Sequence, residues 1–364
     1  MKKLGIGILG SGFVANIHAE SYARIPQAEV VAVYSRRIES ARRFAEVHKI
    51  PHWFENYEDI LDMPEVDIVD ICLPNFLHAR AAIDAASAGK HVIVEKPLCL
   101  TLEEADEMIE ASRKNGVKLM YAEQLCFAPK YERVRQLVNE GALGKIYLLK
   151  QSEKHSGPHS PWFWDVGQSG GGVMMDMGCH ALGWFRWMLG GNPKVESVWA
   201  QMGTYAHKER TRGEDNSICV VTFEGGVVGL AEDSWAKQGG MDDRIEVYGT
   251  GGVSYADLFM GNSALTFSIS GYGYALEKAP ETKGWTFTVF EEVFNQGYPY
   301  ELAHFVECVR DDKQPIQTGE DGKAVLEMIY AAYESARTGC KVALPFRPKV
   351  SKPIDLYLDP VQGG

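Results

Sequence analysis

Asp176 and His180 have the spacing that places two side chains on one face of a helix. A carboxylate beside an imidazole can accept or release a proton near neutral pH. Lys96 comes two residues after the run His91-Val92-Ile93-Val94, which predicts a strand, so we expect it at the carboxyl end of a sheet strand. Taken singly, Asp176 could pair locally within a helix, and His180 could be a hydrogen-bonded core residue. Taken together, the three side chains predict proton transfer at a hydroxyl group.

The N-terminal segment LGIGILGSGFVANIHAESY contains two overlapping glycine patterns. Gly5, Gly7 and Gly10 match G-x-G-x-x-G, whereas Gly10, Gly12 and Ala15 match G-x-G-x-x-A. Such glycines bind a dinucleotide only where they follow a strand and begin a helix, because the backbone must approach the pyrophosphate at the helix N-terminus. Gly5 and Gly7 of the first pattern lie inside the apolar run 4–9, which predicts a strand. We therefore expect the second pattern to form the phosphate-binding turn.

The elements that position these residues alternate between strand and helix. Strands are predicted at 4–9, 30–33, 66–73, 91–94 and 118–121, and helices at 14–25, 38–47, 79–88 and 102–112. This alternation predicts an α/β domain with a parallel, doubly wound sheet. Ligands of such sheets lie outside the carboxyl ends of the strands, so the turns that follow the strands should line one crevice.

The end of the second predicted strand reads Tyr34-Ser35-Arg36-Arg37. An acidic residue is expected there when the cofactor is NAD, because it binds the ribose 2′-hydroxyl. Two guanidinium groups could instead hold a 2′-phosphate. The sequence therefore favours NADP over NAD, unless the two arginines only begin a solvated helix.

The composition excludes several classes of protein. A net charge of −12 argues against a nucleic-acid partner, and no stretch approaches the roughly 20 apolar residues of a membrane span. Seven cysteines without a C-x-x-C pair suit a reducing compartment and disfavour a zinc site of the cysteine type. With no signal-peptide pattern visible, we expect a cytoplasmic protein. At 364 residues the chain predicts two domains, 1–125 and 126–364.

The second part of the chain changes to strands around glycine turns, which predicts an antiparallel sheet with helices. Strands are predicted at 146–151, 195–200, 217–223, 227–231 and 244–247, and helices at 301–309 and 324–337. The loop 155–165 combines His155, His159 and three aromatic residues that include Trp162. Aromatic faces beside polar groups suit a sugar ring, although they could also serve packing or a subunit interface. Residues of metal-binding type occur nearby, but their spacing predicts no metal site: His155, His159, Asp176, Cys179 and His180.

Four motifs occur in order along nearly the whole chain. They are the glycine turn, Leu73-Pro74-Asn75 with His78, Glu95-Lys96-Pro97, and Gly170-Gly171-Gly172-Val173-Met174-Met175-Asp176-Met177-Gly178-Cys179-His180. A chain with these motifs resembles the glucose–fructose oxidoreductase / inositol dehydrogenase / rhizopine-catabolism (Gfo/Idh/MocA) family. The resemblance implies an N-terminal Rossmann domain and a C-terminal α/β domain on a large, open, mainly antiparallel sheet. It also implies homodimers or homotetramers formed through that sheet.

The resemblance implies roles for individual residues. His180 would be the acid/base, Lys96 would hydrogen-bond the reacting oxygen and lower the histidine pKa, and Asp176 would orient the substrate hydroxyl. The expected substrate-binding residues are Lys96, His155, Trp162, Asp176 and His180. The expected cofactor-binding residues are Gly10, Ser11, Gly12, Phe13, Val14, Ser35, Arg36, Arg37, Leu73, Pro74, Asn75, His78, Glu95, Lys96 and Gln124. The chain departs from the family at 123–129, where members often carry an Asn-Arg-Arg-Phe-like stretch and Gln124 would take the amide role.

These observations predict an NAD(P)-dependent dehydrogenase or reductase that acts on a secondary alcohol of a sugar, inositol or glycoside. Two alternatives remain open. One is a glycosidase that oxidises C3 transiently with tightly held NAD, and the other is a dinucleotide-binding sensor without turnover. A sensor of this kind typically lacks the lysine or the histidine, and this chain has both. The sequence leaves open which sugar or polyol is used, which carbon is oxidised and in which direction.

Overall fold

The computed structural model describes residues 3–190, 192–260, 263–269, 277–278, 282–289 and 291–358. Of these, the side chains of 263–267 and 285–289 are not described.

The chain divides into two compact units. The first consists of Met1–Gln124 and Tyr298–Leu326, and the second of Leu125–Gly297 and Glu327–Gly364. The units therefore differ from the contiguous domains 1–125 and 126–364 expected from the sequence, because a late segment of the chain packs with the first unit.

Strands of the first unit are short apolar runs, as expected for parallel strands that are covered on both faces. All four residues of IVDI in β4, for example, are buried. In chain order the strands are β1 (Leu4–Leu9), β2 (Ala28–Tyr34), β3 (His52–Phe54), β4 (Ile68–Ile71), β5 (His91–Glu95), β6 (Leu119–Ala122), β7 (Ile146–Lys154), β8 (Val195–Gly203), β9 (Asn216–Phe223), β10 (Val228–Ser234), β11 (Asp242–Gly249), β12 (Gly252–Asp257), β13 (Ser263–Ser268), β14 (Gly284–Val289) and β15 (Val342–Ala343).

Helices occur between the strands of both units. In chain order they are α1 (Phe13–Tyr22), α2 (Ile38–His48), α3 (Glu58–Leu61), α4 (His78–Ser87), α5 (Leu102–Asn115), α6 (Pro129–Asn139), α7 (Val166–Ser169), α8 (Cys179–Met188), α9 (Glu292–Asn295), α10 (Tyr298–Arg310), α11 (Gly319–Thr338) and α12 (Asp355–Leu358). Short 3₁₀ turns form at Asn75–Leu77, Gln124–Phe127 and Pro161–Trp164, and Met174–Gly178 is a π-helix. Within the described part of the chain, none of the helices combines the length and the apolar composition that crossing a bilayer requires.

The sheet of the first unit has the order β3-β2-β1-β4-β5-β6, with every neighbouring pair parallel. The predicted parallel, doubly wound sheet is therefore confirmed, and the strand order is that of a Rossmann domain. The order reverses between β1 and β4, so the turns that follow these two strands lie at the switch point where ligands bind. The short strand β3 was not predicted, because HWF contains no apolar run and lies at the edge of the sheet.

The second unit is built on a sheet of order β12-β11-β7-β10-β9-β8-β15. Only the β7–β10 pair is parallel among the described neighbours, so the predicted mainly antiparallel sheet is confirmed. The antiparallel strands β9 and β10 are joined by a turn at Gly225 and Gly226, whose φ values of 85° and 83° suit glycine.

The helix α5 anchors the loop that follows β5. Thr101 Oγ1 accepts a hydrogen bond of 3.0 Å from the Glu104 backbone N–H, and Glu104 Oε2 accepts one of 3.0 Å from the Thr101 N–H. This capping box satisfies two of the backbone donors that the start of a helix leaves open. The loop that contains Lys96 is therefore held at both ends by regular structure.

The late helices α10 and α11 complete the core. The helix α10 packs against α1 within the first unit. The helix predicted at 324–337 lies within α11, and four of its apolar residues are buried: Val325, Met328, Ile329 and Ala332.

Candidate active site

The glycine turn between β1 and α1 follows the second of the two glycine patterns. Gly10 has φ of 125°, and a Cβ there would overlap the Cys72 carbonyl oxygen. Only glycine suits this position. Gly5 and Gly7 lie inside β1, where a Cβ would overlap the Glu65 carbonyl oxygen and the Ile60 side chain, respectively. The first pattern therefore serves close packing of the sheet.

The start of α1 fits a dinucleotide pyrophosphate. Gly12 is the N-cap residue, no side chain caps the helix, and a Cβ at Gly12 would meet nothing within 4 Å. The first turn of a helix has backbone N–H groups without intrahelical partners and carries partial positive charge. Together these features make a cradle for an anion at Gly12, Phe13 and Val14.

The end of β2 is joined to this turn by a side-chain contact. Ser11 Oγ donates a hydrogen bond of 2.9 Å to Ser35 Oγ. Arg36 and Arg37 follow and are exposed, and Arg37 is the N-cap residue of α2. Neither guanidinium makes a hydrogen bond or an ion pair with the described residues. Both side chains could therefore reach the adenosine end of a dinucleotide.

The buried His78 ring connects the loops that follow β4 and β5. Its Nδ1 lies 2.9 Å from the Pro97 carbonyl oxygen, and its Nε2 lies 2.8 Å from the Leu73 carbonyl oxygen. Burial lowers the pKa of His78, while the two carbonyls oppose this shift. With both ring nitrogens already on protein atoms, His78 supports the two loops rather than offering a nitrogen to a ligand. Pro74 and the buried Asn75 lie in the first of these loops.

Lys96 lies where the sequence placed it, directly after β5. Its backbone N–H donates a hydrogen bond of 3.1 Å to Glu95 Oε2, and Glu95 is buried. Gln124 is also buried, and its Oε1 has no hydrogen-bond partner among the described residues. A buried amide oxygen of this kind is costly unless a ligand or water satisfies it, which suits the proposed contact to a cofactor amide.

A three-residue cluster in the first unit has the donor types of a metal site. The ligand atoms of His18, Asp70 and Cys72 lie within 4.8 Å of one another, and all three residues are buried. The His18 Nδ1 already pairs with Asp70 Oδ2 at 2.8 Å. The cluster is therefore explained by its internal contacts.

Asp176 lies in a π-helix rather than in the α-helix expected from its spacing to His180. The π-helix Met174–Gly178 runs directly into α8, on which His180 is the second residue. The Asp176 and Met175 backbone N–H groups both donate to the Gly172 carbonyl oxygen, at 3.2 Å. Single π turns are rare and occur often at functional sites, since they widen the backbone and change the direction of side chains.

The side chains of Asp176 and His180 are buried, with 5% and 2% exposure. Trp235 Nε1 donates a hydrogen bond of 3.0 Å to Asp176 Oδ2, and Trp235 itself is fully buried just after β10. This contact sets the plane of the carboxylate. The sequence did not indicate Trp235, because the contact spans 59 residues and no local pattern marks it.

Glu214 holds the start of the segment that carries Asp176. Its Oε1 accepts hydrogen bonds of 2.9 Å from the Met174 N–H and from the Tyr333 hydroxyl, whose oxygen accepts from the Gly172 N–H at 3.1 Å. The Glu214 carbonyl oxygen accepts from the Val173 N–H at 2.9 Å. Burial raises the pKa of Glu214 to about 7, and its hydrogen bonds oppose this shift. Neither Glu214 nor Tyr333 was found from the sequence.

The loop 155–165 is organised around two tryptophans with different surroundings. Trp164 packs edge-on against Trp235 at 5.3 Å, and the Arg210 guanidinium lies 3.9 Å from its ring centre. Trp162 stacks on Phe163 at 3.8 Å. Both tryptophans are partly exposed, and they differ in their partners: Trp164 packs on Trp235 and Arg210, whereas Trp162 packs on its neighbour Phe163.

The two histidines of this loop also contact protein atoms. His155 Nδ1 accepts from the Gly157 N–H at 2.9 Å, and its Nε2 lies 2.9 Å from the Met177 sulfur. His159 Nε2 lies 2.9 Å from Glu277 Oε1. His155 thus contacts a residue of the π-helix, and His159 connects the loop to Glu277.

Comparisons with known proteins agree with both units. Residues 4–123 match the model described as "Oxidoreductase family, NAD-binding Rossmann fold", and residues 131–254 match the "GFO/IDH/MocA C-terminal domain". The crystal structure of GenD2 from gentamicin A biosynthesis in complex with NAD has a TM-score of 0.90 at 30% identity, over 95% of this chain and 97% of that chain.

Two relatives of similar length are named inositol dehydrogenases. The myo-inositol 2-dehydrogenase of Thermotoga maritima is 28% identical over 91% of this chain and 95% of its own length. The scyllo-inositol 2-dehydrogenase (NAD(+)) of Bacillus subtilis is 29% identical over 93% of this chain and 95% of its own length. The chain therefore belongs to the Gfo/Idh/MocA family of NAD-binding oxidoreductases.

Proposed function

We propose that this enzyme transfers hydride between a nicotinamide cofactor and one secondary alcohol of a sugar, inositol or glycoside. The observation that carries the proposal is the buried Asp176 carboxylate, oriented by Trp235 and four residues from His180. A buried carboxylate and a buried imidazole suit a substrate with several hydroxyl groups. The carboxylate can orient the substrate ring through one hydroxyl while the imidazole exchanges a proton with another.

Each proposed catalytic residue has a separate task. His180 takes the hydroxyl proton during oxidation and returns it during reduction. Lys96 donates a hydrogen bond to the reacting oxygen, and Asp176 accepts one from a substrate hydroxyl. NAD(P), held at the glycine turn, supplies the hydride acceptor or donor. General acid–base catalysis of this type contributes roughly 10²–10⁴-fold to the rate.

The substrate class is tested by a panel with both cofactors. Myo-inositol, scyllo-inositol, free aldoses and methyl and aryl glucosides are incubated with NAD⁺ or NADP⁺, and absorbance at the reduced nicotinamide band is followed. The names of the two inositol dehydrogenases make the inositols the first candidates. Release of an aglycone without net cofactor reduction would favour a glycosidase instead, and binding of cofactor without either reaction would favour a sensor.

The cofactor preference proposed is NADP over NAD. The exposed Arg36 and Arg37 guanidinium groups and the Ser11–Ser35 contact support it, because residues 35–38, directly after β2, include no carboxylate that would repel a 2′-phosphate. The printed names of GenD2 and of the scyllo-inositol enzyme refer to NAD. Steady-state KM values for both cofactors decide between them.

The partner proposed is a second copy of this chain, bound at the open face of the sheet in the second unit. Tyr147 and Tyr255 are 49% and 65% exposed, on β7 and β12. Tyr248 on β11 contacts both rings, so the three tyrosines form an aromatic strip across three strands. Tyrosine is enriched in interfaces. Light scattering should give a dimer or tetramer, and Tyr147→Glu with Tyr255→Glu should reduce the molecular mass to that of the monomer.

A further inference from the structure

His18 lies between two buried carboxylates of the first unit. Its Nδ1 makes a hydrogen bond of 2.8 Å with Asp70 Oδ2, and its Nε2 lies 3.1 Å from Glu95 Oε1, at ion-pair distance but without hydrogen-bond alignment. His18 and Asp70 have no exposed side-chain surface. An imidazolium ring carries its charge on both nitrogens, so the protonated ring is attracted to both carboxylates at these distances. The arrangement therefore favours the imidazolium form.

The second oxygen of Glu95 extends this chain of contacts to Lys96. Glu95 Oε2 accepts the hydrogen bond from the Lys96 backbone N–H at 3.1 Å. These contacts connect three elements in succession: Asp70 on β4, His18 on α1 and Glu95 at the end of β5. The succession ends on the backbone of the residue proposed to bind the reacting oxygen.

The other polar groups around His18 are compatible with a positive ring. Burial lowers the pKa of His18, but its contacts with Asp70 and then Cys72 together more than offset this, so the pKa lies well above its ordinary value. The Cys72 sulfur is 3.5 Å from Nδ1, and its pKa is raised to about 12 by burial, so it stays a thiol. Tyr22, on α1 with His18, likewise keeps its proton, because burial and then Asp70 raise its pKa.

Groups from α10 and from the end of β6 also face the ring. The Tyr298 ring lies 5.8 Å from the His18 ring. Glu301 is fully buried, and neither of its oxygens has a hydrogen-bond partner among the described residues. Burial and then Glu95 raise its pKa well above the ordinary value, with Glu123 adding to the shift and His18 opposing it. Burial of Glu301 therefore disfavours its ionised form, which leaves His18 as the cation that balances Asp70 and Glu95.

We propose that His18 is a positioning residue for the Glu95-Lys96-Pro97 loop. Held between Asp70 and Glu95, it fixes the carboxylate that binds the Lys96 backbone amide. The catalytic consequence rests on the proposed function, since it assumes that Lys96 contacts the reacting oxygen. The structural part does not depend on that assumption and can be measured without a substrate.

The first experiment measures amide hydrogen exchange by mass spectrometry, in peptides that cover 93–100. His18→Gln should raise the exchange of the Lys96 amide roughly tenfold, because the Glu95 carboxylate loses its buried cation and rearranges. The isosteric Asp70→Asn variant should change exchange in the same direction. Cys72→Ala is the matched control, since it removes a side chain from the same cluster and leaves the contacts to Glu95 intact. Unchanged exchange in His18→Gln, or an equal increase in Cys72→Ala, would overturn the proposal.

The second experiment is a double-mutant cycle between His18 and Lys96, using the best substrate of the panel. His18→Gln alone should lower kcat by about 10- to 100-fold, the cost expected for a small displacement of a catalytic group, with binding of NAD⁺ nearly unchanged. If His18 acts through Lys96, His18→Gln should cause no further loss in the Lys96→Met background. Additive losses would show that His18 serves only general stability.

The two experiments separate this inference from the proposed function. Raised exchange of the Lys96 amide in His18→Gln, together with normal activity of Lys96→Met, would support the positioning role of His18. It would refute the catalytic role of Lys96. Loss of activity in Lys96→Met, with neither altered exchange nor altered kcat in His18→Gln, would refute the positioning role alone.

Discussion

Replacing Glu214 by Gln should change how the stability of the protein depends on pH. Glu214 is fully buried, and burial raises its pKa from the ordinary 4.5 to about 7. Below 4.5 the carboxyl is protonated in both the folded and the unfolded chain. Between 4.5 and 7 the unfolded chain releases the proton while the folded chain keeps it, so the free energy of unfolding decreases as the pH rises. Above pH 7 both states are ionised, and the loss is complete.

The size of this loss follows from the shift. The difference between 7 and 4.5 is 2.5 pKa units, and at about 1.4 kcal/mol per unit it corresponds to about 3 kcal/mol. Gln cannot ionise, yet its carbonyl oxygen can still accept from the Met174 N–H and the Tyr333 hydroxyl. The free energy of unfolding of Glu214→Gln, relative to wild type, should therefore rise by up to about 3 kcal/mol from pH 5 to pH 8.

The assay is urea unfolding followed by tryptophan fluorescence at pH 5, 6, 7 and 8. The difference between variant and wild type cancels the other titrating groups, because these are common to both proteins. Tyr333→Phe removes a donor to the carboxylate, so it should raise the pKa of Glu214 further and move the decrease to higher pH. If the free energies of unfolding of wild type and Glu214→Gln changed with pH by the same amount across this range, the reasoning would be refuted.

Three further predictions concern the candidate active site. Lys96→Met and His180→Ala should each lower kcat by roughly 10²–10⁴-fold while cofactor binding persists, as measured by fluorescence titration; near wild-type kcat in either would contradict the assigned roles. Arg36→Ala should raise the KM for NADPH by the equivalent of about 1.5–3 kcal/mol and leave that for NADH unchanged. Arg42→Ala, which changes an exposed arginine on α2, is the control, and equal effects of Arg36→Ala on both cofactors would refute the preference for NADP. Trp162→Ala should raise KM for all ring substrates with little effect on kcat, and an altered oligomeric state with unchanged kinetics would instead place Trp162 in a subunit interface.

The fold could be predicted because its signals are local. The runs that form β1, β4 and β5 are mostly apolar, and the intervening helices show helical periodicity. The same local information separated the two glycine patterns, since the position of Gly5 and Gly7 inside a strand excluded them from the turn. The structure adds the physical reason, which is that a Cβ at either position would collide with neighbouring atoms.

The parts that escaped prediction depend on contacts between residues far apart in the sequence. Tyr333 and Glu214 are 119 residues apart, and His18 and Asp70 are 52 apart. No spacing rule reports such pairs, because their partners meet only after the strands have paired. The π-helix at Asp176 also depends on a residue that is distant in the sequence. Its backbone is supported by Glu214, so the residues 174–178 alone read as an ordinary helix.

The discontinuity of the first unit has a consequence for how the chain is made. Translation releases Met1–Gln124 with every strand of the parallel sheet, but α10, which packs against α1, emerges only after the whole of Leu125–Gly297. Until then the face of α1 that α10 covers, where Tyr298 meets His18, has no partner. During synthesis, the first unit therefore lacks α10 until the second unit has been translated. In that period the apolar face of α1 is exposed, and chaperones bind surface of this kind. Grafting 1–125 onto another protein would transplant the glycine turn without the helix that closes its core.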